Sequence, residues 1–464
     1  MLRATKVAEE QGIPGIAVIA AGFVGQARVT ARAMGVPDIS IVAYPGNIPL
    51  EGAAEFARKV QDSVLPEVLA ILDSAASGAQ NAPGRTGEPG PRETVFTGSF
   101  QAVQEHFEER DWSDGLPIVP PTRADVAQFL AWTDRDPDEV IGVMPPEFRE
   151  ATVWSVAVNG VMAGCRPEYM PILLAIVEIL ADPEFRIEDA GATPGWEPLV
   201  VVSGAIVDAL KFNTEVANMR LGRRANASIG RFVRLYMRNV IGFRPGTTDK
   251  GSIGYNFNVA MGENENAVKA IGWNPVRVDL GFAHDDNVVM VQSAVAISSP
   301  VYVGGDDPVT MVRPIARYLE GTAGPFCFFG IQRGRYHPLV QMSPSVAGAF
   351  ARHGWGKAEI AQYLFENCRY NAGWVEHYPL HAMGQEWTMA DLVRRGLAPP
   401  LYAASDDPER MLPMLLKPEW TRFVVAGDPA RNQIKIYINN HRQAPPTARR
   451  IRLPDDWRQR LERK

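Results

Sequence analysis

The chain has 464 residues, 46% of them hydrophobic and 22% charged, with a formal net charge of −6. That length corresponds to about three domains, and the composition is that of an ordinary globular protein. An acidic balance provides no overall field for nucleic acid or an anionic membrane surface, so neither is expected as a partner and any basic function has to be local.

The three cysteines, Cys165, Cys327 and Cys368, are too far apart for a metal knuckle or a redox dipeptide, and they fit a reducing compartment. The N-terminus has no apolar stretch of signal-peptide length. The longest apolar run, Met170 to Ala181, is broken by Pro171 and Glu178 and is too short to span a bilayer. The expected location is the cytoplasm.

Residues 1–10 read as a helix, and GIAVIAA at 15–21 as a buried parallel strand. GFVGQARVTARAMG then reads as a helix ending near Gly35. Pro37-Asp38 turns the chain into a second strand at 39–45, and a long helix runs from about Ala53 to Leu72. Short connections between alternating elements imply right-handed βαβ crossovers and a parallel sheet. Such a unit ordinarily starts on a strand, whereas this one starts on a helix. It reads as an incomplete module, to be finished by the large domain, by absent residues, or by a partner chain in a homo-oligomer or hetero-oligomer.

Residues 73–94 are rich in Gly, Pro, Ala and Ser without apolar periodicity, which is the composition of a flexible linker. The large domain follows at 95–464. In it, a helix from Phe100 leads to WSDGLPIVPPT at 112–122, where Pro120-Pro121 forms either a structural corner or a pocket wall and Thr122 is placed to cap the next helix. Two helices are expected over 149–181. Cys165 ends the first beside Arg166, a position where a thiol can become a nucleophile but also one where a buried cysteine simply packs. A strand at 198–207 carries Ser203-Gly204 in its second half, where α/β proteins often bind ligands.

The segment NMRLGRRANASIGRFVRLYMRNVIGFRPG at 218–246 concentrates arginine in an otherwise acidic chain. A helix is expected from about Ile229, with Asn226 and Ser228 at its start, where free backbone N–H groups cradle anions. Arg223 and Arg224 precede it, and Arg231, Arg234 and Arg238 share one helical face. One reading is a small-anion site of Arg223, Arg224, Asn226, Ser228 and Arg231. The others are a structural helix paired to carboxylates elsewhere and an RNA-binding surface, which the acidic overall balance weakens.

The Gly- and Asn-rich stretch that follows holds Lys250, Glu263 and Glu265, candidate acid–base or ligand-binding groups if buried, and solvated loop residues if not. His377, His381 and Glu376 offer little metal pattern, since Pro379 interrupts the spacing and no HExxH occurs. No metal and no particular cofactor is indicated. Further on, two short helices flank a Gly-Trp-Gly turn, a strand pair is expected at 422–440, and the basic tail after Gln443 reads as an extended arm.

The run EEQGIPGIAVIAAGFVGQARVTARAMGVPDISIVAYP resembles the second half of the UGSC-like domain, and is loosely similar to the selenium-dependent amino-acid reductases. That family is named for a selenocysteine- or cysteine-Gly-Ser-Cys motif, which in this resemblance would lie before Met1. In the large domain, DGLPIVPPT, AVNGVMAGCRPEY, GRRANASIGR, GENENA and GWGKAEIAQYLFENCR resemble the large domain that accompanies UGSC-like modules in fused bacterial proteins. The resemblance implies common architecture and tilts the chemistry toward thiol-linked redox or lyase reactions.

The fold class expected is thus α/β: a small incomplete parallel βαβ module (1–72), a linker, and a larger α/β (α+β) domain. The function expected is an enzyme acting on a small polar or anionic substrate, with Cys165, Glu263, Glu265 and Lys250 as candidate catalytic groups. A non-catalytic scaffolding subunit and a metal-dependent hydrolase are the alternatives.

Overall fold

The computed structural model describes residues 2–46, 48, 51–74, 89–90, 92–254, 256–324, 337–383, 387–439 and 447–463. Most of the linker expected at 73–94, and Cys327, lie outside the described residues.

The N-terminal module runs α1 (Leu2–Glu10), β1 (Ile16–Ala20), α2 (Val24–Ala33), β2 (Ser40–Tyr44), α3 (Ala53–Lys59) and α4 (Leu65–Ser74), with a π turn at Val60–Val64 between the last two. β1 and β2 pair in parallel, as the alternating order of elements requires. Helices cover both faces: α1 and α2 enclose Ala17, Ile19 and Ile39, while Val42, Tyr44 and Val64 pack on the other side.

The large domain begins with α5 (Phe100–Glu109), α6 (Arg123–Leu130), β3 (Val140–Met144), β4 (Arg149–Thr152), α7 (Val153–Met162) and α8 (Met170–Leu180). Thr122 caps α6, its Oγ1 accepting from the Asp125 amide at 3.2 Å. The helix expected from Arg149 starts only at Val153, because Arg149–Thr152 pairs with β3 as a hairpin and Thr152 then caps α7. Next come β5 (Glu197–Ser203), α9 (Ile206–Ala209), α10 (Arg224–Tyr236), β6 (Met261–Gly262), α11 (Glu265–Ala270), α12 (Val276–Asp279), β7 (Val288–Ala294), β8 (Ala296–Ile297) and β9 (Val301–Tyr302). The strand expected to reach residue 207 stops at Ser203, where Gly204 adopts φ +125° and turns the chain into α9. α10 starts five residues before Ile229, so Asn226 and Ser228 lie inside the helix and not at its cap.

The remainder is α13 (Pro308–Ala323), β10 (Leu339–Met342), α14 (Pro344–Arg352), α15 (Lys357–Asn367), β11 (Arg369–Asn371), α16 (Ala372–Met383), α17 (Met389–Arg394), β12 (Met411–Pro413), β13 (Arg422–Val425), β14 (Gln433–Ile438), β15 (Thr447–Arg450) and α18 (Trp457–Glu462). β13 and β14 do not pair with each other as a hairpin; β10 lies between them. The tail is no extended arm where it is described: β15 joins β7, and Trp457 is buried in the core.

Two mixed sheets stack face to face, ordered β15-β7-β5-β6 and β13-β10-β14-β8, with β9 also on β14. Alternate residues of each strand enter different cores. On β5, Val200 and Val202 pack under α7, α8 and α10, while Leu199 and Val201 meet Leu339, Val424 and Tyr437 of the facing sheet. Val340 and Met342 point into the outer core with α13, α14 and α15. The architecture is therefore four layers, helices–sheet–sheet–helices.

The two halves repeat one another. In each, a helix (α8, α13) leads to a central strand (β5, β10) that is parallel to one neighbour (β6, β13) and antiparallel to the next (β7, β14). The strand that follows then crosses to the other half: β8 and β9 pair with β14, whereas β15 pairs with β7. Pro198-Leu199-Val200 and Ser203 match Pro338-Leu339-Val340 and Ser343 in register. The Glu263 amide donates to Val202 O just as the Ala426 amide donates to Met342 O. The large domain is a duplicated unit with reciprocal strand exchange, so neither sheet is complete within its own half.

Candidate functional site

The sequence-predicted groups fall into three places. Around α10 the named polar side chains other than Arg223 have local partners. Arg231 grips Asp114 with Nε (2.9 Å) and Nη2 (2.8 Å), and also reaches Leu116 O and Pro117 O. Burial alone would raise the Asp114 carboxyl, but these hydrogen bonds and the Arg231 charge outweigh it and leave its pKa lowered. Arg224 Nε donates to Gly164 O, and Ser228 Oγ to Arg224 O. Asn226 is buried between Asn213 and Ala260 O. Arg223 is an exposed N-cap residue. Arg234 pairs with Glu197, Arg238 with Asp111 and Arg244 with Glu147. These contacts fasten α10 to segments far apart in sequence, and the residues named for an anion site each face a different neighbour. Gly230 allows the helix to approach, since a Cβ there would meet the backbone of Asn258 and Val259.

Cys165 is buried beside this helix, and burial pushes its thiol up to about 12 against the opposing effects of Ser228, Arg224 and Arg231. The thiol therefore stays protonated near neutrality, unlike a nucleophilic cysteine. Lys250 donates its Nζ to Gly246 O at 2.6 Å.

Glu263 and Glu265 do come together, at the carboxyl ends of the parallel pair β5 and β6. Ser203 Oγ donates to Glu263 Oε2 (2.7 Å), the Val276 amide bonds both Glu263 oxygens (3.0 and 2.9 Å), and the Gly204 amide donates to Glu265 Oε1 (2.7 Å). Arg277, which nothing in the sequence marked, donates to Ser203 Oγ at 2.9 Å and pairs with Glu265. Glu263 is fully enclosed, and burial pushes its carboxyl up to about 7 despite Lys357 and Ser203. In the second half Ala426 occupies the matching place, so this acidic cluster belongs to one half alone. As it stands the cluster is an internally satisfied network that pins the strand ends to α12.

The open site lies elsewhere. A chamber of about 870 Å³ is lined by residues 89–90 and 92–98, α5, the 120–123 corner, α7 and the π turn at Met237–Ile241 that ends α10. That volume is in the range of small-molecule sites, and π turns recur at such sites. The prolines weighed as a pocket wall, Pro120 and Pro121, line it. Phe96, Phe100, Phe107, Trp112 and Trp154 give it aromatic walls.

Its floor is a polar ladder. Ser155 Oγ lies 3.1 Å from Tyr236 Oη, Asn159 Nδ2 donates to Ser155 O (2.9 Å), and Asn239 Nδ2 donates to Asn159 Oδ1 (2.9 Å). Asn239 Oδ1 is buried beneath this ladder, with no hydrogen-bond partner among the described residues. At one end Arg149 Nε reaches Glu147 at 2.6 Å, and Arg244 binds the same carboxylate. The charged residues lining the chamber are Arg92, Arg123, Arg149, Arg244 and Glu93; Glu147 pairs with Arg149 and Arg244 and Asp138 with Arg92, so the balance is slightly positive and favours an anion only weakly.

Among the described residues no group of three or more His, Cys, Asp or Glu is arranged to hold a metal ion, and no helix is long and apolar enough to cross a membrane. The His377 and His381 rings lie 4.1 Å apart, while Glu376 is engaged with the Met389 amide and Arg410.

Comparison with known families bears on the first module alone. Residues 3–74, up to the end of α4, match the UGSC family. The N-terminal module is thus similar to the UGSC family. No curated protein and no solved structure matches the chain. The UGSC module touches the large domain at the turn that carries Arg244: Gln26 Nε2 donates to Thr248 O at 3.1 Å.

Proposed function

We propose that the large domain binds a small organic anion with a flat apolar body in the chamber, as the recognition step of an enzyme. The observation that carries this reading is the chamber itself, in which five aromatic side chains and four arginines line one space. Aromatic walls stack a planar ligand, each contact contributing about 1 kcal/mol, and a charge-assisted hydrogen bond from arginine contributes roughly 1.5–3 kcal/mol. Together these favour an aryl carboxylate over a purely polar or purely apolar molecule. The thiol-linked variant of the enzyme reading has less support, since the buried Cys165 thiol titrates at about 12.

The experiment is a calorimetric titration with phenylacetate, 4-hydroxyphenylacetate and indole-3-acetate, each beside its neutral amide. The acids should bind, their amides about tenfold more weakly or worse, and Trp154→Leu should weaken the acids. If no acid binds at millimolar concentration, where affinity is only about −4 kcal/mol, or if acid and amide bind alike, the reading is wrong. A chain that binds none of them yet assembles stably with a partner would favour the scaffolding alternative.

A further inference from the structure

We infer that the chamber and the UGSC module are coupled, so that filling the chamber fixes the module's position and shifting the module changes the chamber. This inference rests on the chamber being a ligand site, as proposed above. The coupling has two routes, one along the chain and one through space.

The chain route is a strap. Residues 92–98 lead out of the linker and form one wall of the chamber, yet they join no helix or sheet. Their hold on the domain is made of individually weak contacts with the chamber surroundings. The Arg92 guanidinium sits 5.0 Å over the Trp154 ring, and Phe96 stacks on His106 at 4.5 Å. Arg123 Nη2 donates to Arg92 O at 2.8 Å, and Arg92 pairs with Asp138. A wall held this way opens locally far below the energy of global unfolding. A ligand lying against Phe96, Trp154 and Arg92 adds contacts only in the closed arrangement, which is the differential affinity that shifts such an equilibrium.

The spatial route is the turn at 244–249. It is a closed unit: the Arg244 amide donates to Thr248 Oγ1 (2.8 Å), the Asp249 amide to Arg244 O (2.9 Å) and the Gly246 amide to Asp249 O (3.0 Å). Thr248 Oγ1 in turn bonds Gly242 O, beside the π turn that carries Asn239. One side of this unit presents Arg244 to the chamber, and the other presents Thr248 O to Gln26 of the UGSC module. The strap and the turn thus both line the chamber, and the turn is the one that bonds the module directly.

Coupling between two sites is reciprocal in binding free energy. The full-length protein tests it by hydrogen exchange with and without saturating indole-3-acetate, alongside Gln26→Ala, which lies outside the chamber. Bound indole-3-acetate should slow exchange of amides in residues 16–44 as well as 92–98. Gln26→Ala should reduce the effect on 16–44, where the Arg3–Glu188 ion pair remains, and weaken indole-3-acetate by at most about tenfold, the ceiling set by one hydrogen bond. A ligand that binds and protects 92–98 but leaves 16–44 unchanged overturns the coupling while leaving the proposed function intact. A ligand-free arm decides the matter even if indole-3-acetate does not bind. Gln26→Ala should by itself speed exchange in 237–249, and unchanged exchange there overturns the inference.

Discussion

Replacing Glu263 by glutamine should lessen the fall in stability of this protein between pH 5 and 8 and raise it at the alkaline end. Glu263 is fully enclosed, and burial lifts its carboxyl from the ordinary 4.5 to about 7 in the folded chain. The folded state therefore holds a proton that the unfolded state releases near 4.5, so stability is highest below that pH and falls as pH rises through about 7. A rise of that size corresponds to about 3 kcal/mol, since each tenfold change in proton affinity is about 1.4 kcal/mol. Glutamine cannot ionise, and it can still accept from the Val276 amide while its own amide donates to Ser203 Oγ. The variant should gain most of that energy at pH 8, less about 1 kcal/mol for hydrogen bonds that no longer involve a charge. Near pH 5 it should match the parent or fall slightly below it. Glu197, pushed up to about 7 by burial, adds a slope of the same sign that survives in the variant. Carboxyls held low, such as Asp114 and Asp307, act at lower pH and leave this window clear. Urea midpoints measured across the window decide the matter. An unchanged pH slope in Glu263→Gln, or a variant less stable at pH 8, would refute the reasoning.

Cys165 should resist iodoacetamide in the folded protein at pH 7.5, because its thiol is buried and titrates at about 12; rapid labelling of Cys165, read by mass spectrometry, would contradict this. Asp114→Asn should destabilise the protein by about 1–3 kcal/mol by leaving the Arg231 guanidinium poorly paired against α10. A double-mutant cycle with Arg231→Met checks it: additive losses would mean that the two side chains do not interact.

Much of the local structure was legible in the amino-acid sequence because it depends on neighbours in the chain. The β1 and β2 strands, the α2 crossover and the Thr122 cap follow from apolar runs, glycines and capping residues within a few positions of one another. The boundary of the apolar face of α10 was visible too, from Arg231 and Arg234 on its other side and Arg238 in the π turn that follows. What those arginines do was not visible. Their carboxylate partners, Asp114, Glu197 and Asp111, lie 37 to 127 residues away, and only the tertiary fold selects them from the 53 acidic residues in the chain. Glu263 and Glu265 were noticed as candidates, but whether they were solvated or buried depended on β5, which comes 60 residues earlier and brings Ser203 to them. The duplication left a faint trace in the sequence, Pro-Leu-Val followed by serine at 198–203 and again at 338–343. Its meaning came from strand register and from the exchange of β8, β9 and β15 between sheets. The chamber is the extreme case, for its walls come from residues 89 to 244, and no local pattern distinguishes an aromatic that lines a cavity from one that fills a core. Local periodicity determines which residues face inward. Whether the inward space is filled or left open is decided only when distant segments close around it.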